Sequence, residues 1–81
     1  MIVSTKGRYA LRVMIDLAEH QAEGYIPLRQ VSERQAISEK YLESIVKTLV
    51  QNKLLQGLRG KGGGYKLTRK PEQYTVYDIL S

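Results

Sequence analysis

Residues 28–52 read LRQVSERQAISEKYLESIVKTLVQN, and their spacing decides the fold. Leu42, Ile45, Val46 and Leu49 recur at i, i+3, i+4 and i+7, while Lys40, Glu43, Ser44 and Lys47 repeat that interval on the other side. Ser38 stands where a hydroxyl can accept from the free N–H groups of a first turn, so a helix is predicted from Ser38 to about Asn52. Ahead of it, Leu28 to about Gln35 suits a shorter helix with Leu28, Val31 and Ser32 inward and Arg29, Glu33 and Arg34 in water. Ala36-Ile37 leaves room for a tight turn between them. Two helices joined this closely are a helix-turn-helix.

Upstream, Lys6 to His20 carries Ala10, Val13, Met14 and Leu17 at helical spacing, with Arg8, Arg12, Asp16 and Glu19 assigned to water. Tyr9, Leu11, Ile15 and Ala18 widen the apolar arc of this first helix. Either a second packing partner, such as another chain, or burial within the same domain accommodates that width. Glu23-Gly24 ends the region, and Tyr25-Ile26-Pro27 is extended because a residue before proline avoids the helical region.

Downstream, Leu54–Arg59 and Tyr65–Thr68 are predicted strands around a tip, Gly60-Lys61-Gly62-Gly63-Gly64, where glycine permits positive φ and close backbone approach. Pro71-Glu72-Gln73 is read as a linker, and Thr75-Val76-Tyr77-Asp78 as a capping box opening a further helix that is expected to continue past Ser81. The class expected is mostly α with a small β-hairpin (α+β), a winged helix-turn-helix over 1–74, followed by the start of a truncated helix over 75–81.

Eighty-one residues allow one small core, and with no Phe, no Trp and six Tyr that core must be aliphatic. The absence of cysteine excludes a disulfide framework and a thiolate metal site within these residues. The longest apolar run is broken by Arg12 and Asp16, far short of a bilayer span, and no signal-peptide layout precedes it. No membrane association is expected, and a cytoplasmic protein is the simplest reading.

The net charge of +5 is unevenly placed. Lys47, Lys53, Arg59, Lys61, Lys66, Arg69 and Lys70 occur without an intervening acid, whereas the first 37 residues are nearly balanced. A polyanion should therefore dock on the second half. The outer face of the third helix suits the major groove: Lys40 can meet guanine or phosphate, Glu43 can accept from the cytosine amino group, Ser44 can serve several bases and Lys47 adds charge.

A charged outer face alone equally fits a solvated helix, and a glycine-rich hairpin alone fits a surface loop. Arg59, Gly60, Lys61 and Gly62 form a thin cationic projection of the width the minor groove admits, and together with the helix-turn-helix they favour DNA. Ser38 either caps its helix or also holds a phosphate. Tyr41 lies between the two faces, at the core edge or on a phosphate. Lys6 and Arg8 can likewise meet the backbone, with solvation as the default.

Enzyme chemistry finds little support. Gly57-Leu58-Arg59-Gly60-Lys61-Gly62 has the wrong spacing and no hydroxyl for a phosphate-binding loop of nucleotide hydrolases, and the dinucleotide fingerprint needs a helix where Tyr65-Lys66-Leu67 reads as strand. His20 is the single histidine, at a helix end, with no evident acid–base partner. It is too little for a metal site.

Four stretches in order, Ser4-Thr5-Lys6-Gly7-Arg8-Tyr9-Ala10, Ser38-Glu39-Lys40-Tyr41-Leu42-Glu43, Arg59-Gly60 through Gly63-Gly64-Tyr65, and Thr75-Val76 before Asp78-Ile79-Leu80, together resemble the Rrf-type family of bacterial transcriptional regulators. That family includes regulators of iron–sulfur clusters and of cysteine metabolism. The resemblance spans essentially the whole chain. It implies a homodimer on a near-palindromic operator, helix three in the major groove with Lys40, Glu43 and Ser44 at base-reading places, Arg59 in the minor groove, and a dimerisation helix starting near Thr75. In sensing members the cysteines follow that helix, so no cofactor is expected within this chain, and an iron–sulfur cluster only if a further C-terminal region supplies the thiolates. The function expected is sequence-specific transcriptional regulation, repression first. The alternative is a winged-helix module that binds protein or RNA without base readout.

Overall fold

The computed structural model describes residues 4–73 of the chain. Helix α1 spans Thr5–Glu19, α2 Leu28–Gln35 and α3 Glu39–Gln51. Strands β1 (Leu55–Leu58) and β2 (Gly64–Leu67) form an antiparallel hairpin, and short 3₁₀ turns cover Gln21–Glu23 and Pro71–Gln73. The helix expected from Thr75, and with it the proposed division near residue 74, lies outside the described residues.

Helices α1 and α3 start at serine caps, whereas α2 follows Pro27 without a side-chain cap. Ser4 Oγ accepts from the Gly7 N–H at 3.0 Å, and Ser38 Oγ accepts from the Tyr41 N–H at 3.2 Å. The turn between α2 and α3 is short because Ala36 takes the left-handed conformation (φ 54°, ψ 44°) as the C-cap of α2. Ile37 then drops into the core and Ser32 Oγ donates to its carbonyl.

Val13, Leu17, Ile26, Val31, Leu42, Ile45, Val46 and Leu55 are all but fully buried and join the three helices to the hairpin. Apolar residues at the predicted spacing thus build the core, and the hydrophobic effect supplies most of what holds it. Backbone hydrogen bonds add to this packing. Ile26 and Tyr65 exchange two backbone hydrogen bonds, both of 2.9 Å, so the extended segment before Pro27 lies beside β2.

Gly64 makes that approach possible. A Cβ there would lie 2.3 Å from the carbonyl carbon and oxygen of Ile26, and its φ of 148° is one that side chains resist.

Four sequence expectations are corrected. Asp16, assigned to water, is 2 % exposed, and Arg34, which stays exposed as expected, pairs with it. The first strand begins at Leu55 because the Leu54 N–H donates to the Leu49 carbonyl, closing the turn out of α3. The second begins at Gly64, which pairs with Leu58 and so belongs to the ladder instead of the tip. Pro71–Gln73, expected as linker, is one 3₁₀ turn in which Gln73 Oε1 accepts from the Lys70 N–H.

Candidate nucleic-acid interface

The presentation of α3 depends on a polar lock between α1 and α2. Arg34 donates to both Asp16 oxygens, through Nη2 at 2.7 Å and Nε at 3.0 and 3.2 Å, and Gln35 Nε2 adds a bond of 2.9 Å. Burial alone would raise the Asp16 carboxyl, but the hydrogen bonds from Arg34 and Gln35 and the arginine's charge outweigh it and hold the group below the ordinary carboxylate range.

Arg12 completes the lock from the same face of α1. Its Nη2 donates to the Gln35 carbonyl at 2.9 Å, satisfying an end-of-helix acceptor of α2, and its guanidinium stands 5.3 Å from the Tyr9 ring centre. Tyr9 in turn meets Tyr41 of α3 edge-on at 5.4 Å. The chain of contacts runs from α2 through α1 to the first turn of α3, so α3 is aimed by side chains on two other helices.

On the aimed helix, Lys40, Glu43, Ser44 and Lys47 are all exposed. Among the described residues no ion pair engages them. Ser44 Oγ donates to the Tyr41 carbonyl at 2.8 Å, which leaves its acceptor capacity outward. Tyr41 is half-buried and packs at the core edge. Lys6, at the start of α1, reaches Thr48 of α3 (Nζ to Oγ1, 3.4 Å), which brings a further cation beside this face.

The hairpin projects on the other flank. Arg59, Gly60, Lys61 and Gly62 are exposed, and Gly60 and Gly62 have φ of 94° and 78°. A cleft of about 500 Å³ lies between the two elements, lined by Lys47, Val50 and Gln51 from α3 and by Gly57, Leu58, Arg59 and Tyr65 from the hairpin. It brings Lys47 and Arg59 to one concavity. Lys40 is seven residues back along α3, about 10 Å at the helical rise, and together with Ser38 belongs to the opposite end of the helix from the cleft.

Sequence reasoning did not single out Val50, Gln51, Leu58 or Tyr65. Gln51 was within reach of it, since it follows Lys47 by four residues on the same face. The exposed apolar pair was not, because periodicity marks apolar residues as core.

A metal or cluster site was tested against the donors present. The chain has no cysteine, and among the described residues no three metal-ligating side chains gather. These residues do not fit an iron–sulfur cluster, whose irons thiolates hold. Among the described residues, no helix is long and apolar enough to cross a membrane.

With this geometry in hand, comparison with known proteins places the chain. It is 44 % identical over all 81 residues to the HTH-type transcriptional regulator IscR of Aliivibrio salmonicida and spans 48 % of that protein. The chain thus covers about half the length of the curated relatives it matches. Among solved structures, T. potens IscR superposes with a TM-score of 0.90 at 44 % identity, covering 99 % of this chain and 58 % of that one. CymR, the global cysteine regulator of B. subtilis, superposes at 0.93 with 40 % identity, covering 99 % and 62 %. The two folds share the three helices and hairpin of a winged helix-turn-helix regulator. A family model described as an iron-dependent transcriptional regulator matches residues 3–81, and the chain belongs to that family, Rrf2.

Proposed function

We propose that this chain is the DNA-reading part of a transcriptional regulator that binds duplex DNA sequence-specifically and works as a homodimer. The observation that carries it is the cleft shared by Lys47 and Arg59, because it turns the outer face of α3 and the base of the wing toward one concave surface. A single duplex can then meet both.

In this reading α3 enters the major groove, with Lys40, Glu43 and Ser44 at base edges, Lys47 on phosphate and Ser38 at the helix start. Tyr41 positions α3 through its contact with Tyr9. Arg59 with Gly60, Lys61 and Gly62 enters the adjacent minor groove, where a narrow groove concentrates negative potential around an arginine. An acid among phosphates is unfavourable, so Glu43 gives a net benefit only where it discriminates between bases. The two-fold arrangement of a dimer would set half-sites about 34 Å apart. The names of the relatives support regulation of transcription, and no step of it here runs through iron.

Titrating promoter DNA against salt tests this. About six phosphate contacts give a log–log slope near −5. Arg59→Ala should cost about 1–3 kcal/mol of binding, while Glu43→Ala should relax base preference in a binding-site selection with little change in affinity. Affinity indifferent to salt and sequence would refute DNA reading. Tolerance of Glu43→Ala with no change in selected sequence, alongside loss on Lys61→Glu, would instead mark a module without base readout.

A further inference from the structure

Sheet order leaves one strand edge open. Ile26 and Tyr65 bond to each other through both backbone groups, so the Tyr65 N–H and C=O point away from β1. Antiparallel pairing alternates, which makes Leu58–Gly64 and Gln56–Lys66 the bonded pairs of the hairpin and turns the Leu55 and Gly57 N–H and C=O groups outward. The bond from the Thr68 N–H to the Leu54 carbonyl keeps that alternation. Thus β2 is flanked on both sides, by β1 and by the Ile26 segment, whereas β1 has a partner on one side only. Among the described residues nothing bonds to the Gly57 N–H or C=O, and Gly57 is exposed. The Tyr65 ring covers Gly57 on the face of the sheet, where a Cβ would lie 3.1 Å from Cε1. The opening is at the strand's edge and not on its face.

An open edge pairs with an extended chain unless something prevents it, and flanking charge is a usual protection. Here the charge has one sign. Lys47, Lys53, Arg59, Lys61 and Lys66 lie on or beside β1 and its turn, and no acid occurs between residues 47 and 70. A second copy of β1 would bring the same cations against these, and like charges across a pair are unfavourable. An acidic strand would meet them favourably. Val50 and Leu58, 36 % and 49 % exposed, line the cleft with Gly57 and offer apolar contact to alternate side chains of such a strand. From this we infer that the free edge of β1 docks an extended acidic peptide segment of another protein, which adds to the hairpin as a strand at Gly57. The docked segment lies beside Lys47 and Arg59, so it competes with duplex DNA for those cations. The docking stands on the edge itself, and only the competition rests on the DNA reading above.

The probe is a short capped peptide alternating glutamate with valine, added to the isotope-labelled chain. Amide exchange at Gly57 should slow about tenfold at saturation, while Tyr65, already bonded, keeps its rate. The same peptide N-methylated at every amide keeps its charge and loses its donors, and it should bind about tenfold more weakly. A peptide with lysine in place of glutamate should not bind. Equal binding of the N-methylated peptide would show attraction between charges without strand addition, and equal binding of the lysine peptide would show an edge with no preference for acid. Either result overturns the assignment. Gly57 protection that rises with chain concentration in the absence of peptide would give the edge to a second copy instead. With a duplex obtained by selection, the glutamate peptide should raise the apparent Kd as its occupancy rises. Full occupancy with an unaltered Kd refutes the competition, whereas a chain that binds no duplex refutes DNA reading and leaves the exchange result to decide the docking.

Discussion

The α1–α2 junction and the α3–wing cleft both display arginine, and they use it in opposite ways. At the junction Arg34 is committed to Asp16 and Arg12 to Gln35, with each partner atom within 3.2 Å. At the cleft Arg59 and Lys47 have no ion-pair partner among the described residues, and both are exposed. An arginine committed to partners within the fold helps to hold the helices together and has less to offer a ligand. An unneutralised charge contributes nothing to folding and keeps its full attraction for a polyanion. The contrast separates residues that position α3 from residues proposed to meet DNA.

The largest effect should come from breaking the junction. Arg34→Met leaves the Asp16 carboxylate buried with only Gln35 and His20 near it, which should cost about 3 kcal/mol of unfolding free energy at neutral pH. Adding Asp16→Asn to that variant should recover part of the loss, because the uncompensated charge is gone. The carboxyl of the parent chain has its folded value depressed, so its contribution is complete above the ordinary carboxylate range and disappears as pH falls through the lower folded value. Denaturant midpoints between pH 7 and pH 2 should therefore fall less steeply for Asp16→Asn than for the parent. Equal pH profiles would show that Asp16 is not the group that ties α2 to α1.

That junction was also the part least legible beforehand. Asp16 sits four residues after Arg12 on what spacing marks as the wet side of α1, and nothing local distinguishes it from Glu19. Its burial is decided by Arg34 and Gln35, eighteen and nineteen residues on, and by the angle at which α2 crosses α1. The α3 face, by contrast, was legible because caps and i, i+4 spacing are local, and Ser38, Leu42, Ile45, Val46 and Leu49 do what spacing requires. The cleft stood between these cases. Its cations were visible as residue types, but its apolar floor depends on how the hairpin's register turns Leu55 in and leaves Leu58 out.

A smaller effect is expected where the wing joins the helical part. Gly64→Ala places a methyl against the Ile26 carbonyl, and the strand can relieve the clash by giving up the two Ile26–Tyr65 hydrogen bonds. At about 1 kcal/mol each, their loss bounds the destabilisation near 2 kcal/mol. The wing would then be less firmly held beside α3. Amide exchange should show it: protection at Ile26 and Tyr65 should drop while Leu42 to Leu49 in α3 keep theirs. Uniform loss across α3 would mean that wing and helix fold as one unit, and the contrast between the two regions would be weaker than drawn.

The smallest effect concerns the turn that links them. Ala36 holds φ at 54°, a conformation that costs a residue with a Cβ about 1–2 kcal/mol. Glycine would remove that strain but has more conformational freedom to lose on folding, about 0.5–1 kcal/mol. The difference favours Ala36→Gly by roughly 0.5 kcal/mol, a gain of a few degrees in thermal midpoint for a domain of this size. Alanine therefore keeps the turn slightly strained, yet the buried Ile37 beside it and the Ser32 bond to its carbonyl fix the geometry regardless of which residue stands at 36. DNA affinity of Ala36→Gly should consequently match that of the parent chain. A stabilised variant with weakened binding would show that the backbone stiffness of the turn, and not only the Asp16 lock, sets the direction in which α3 points.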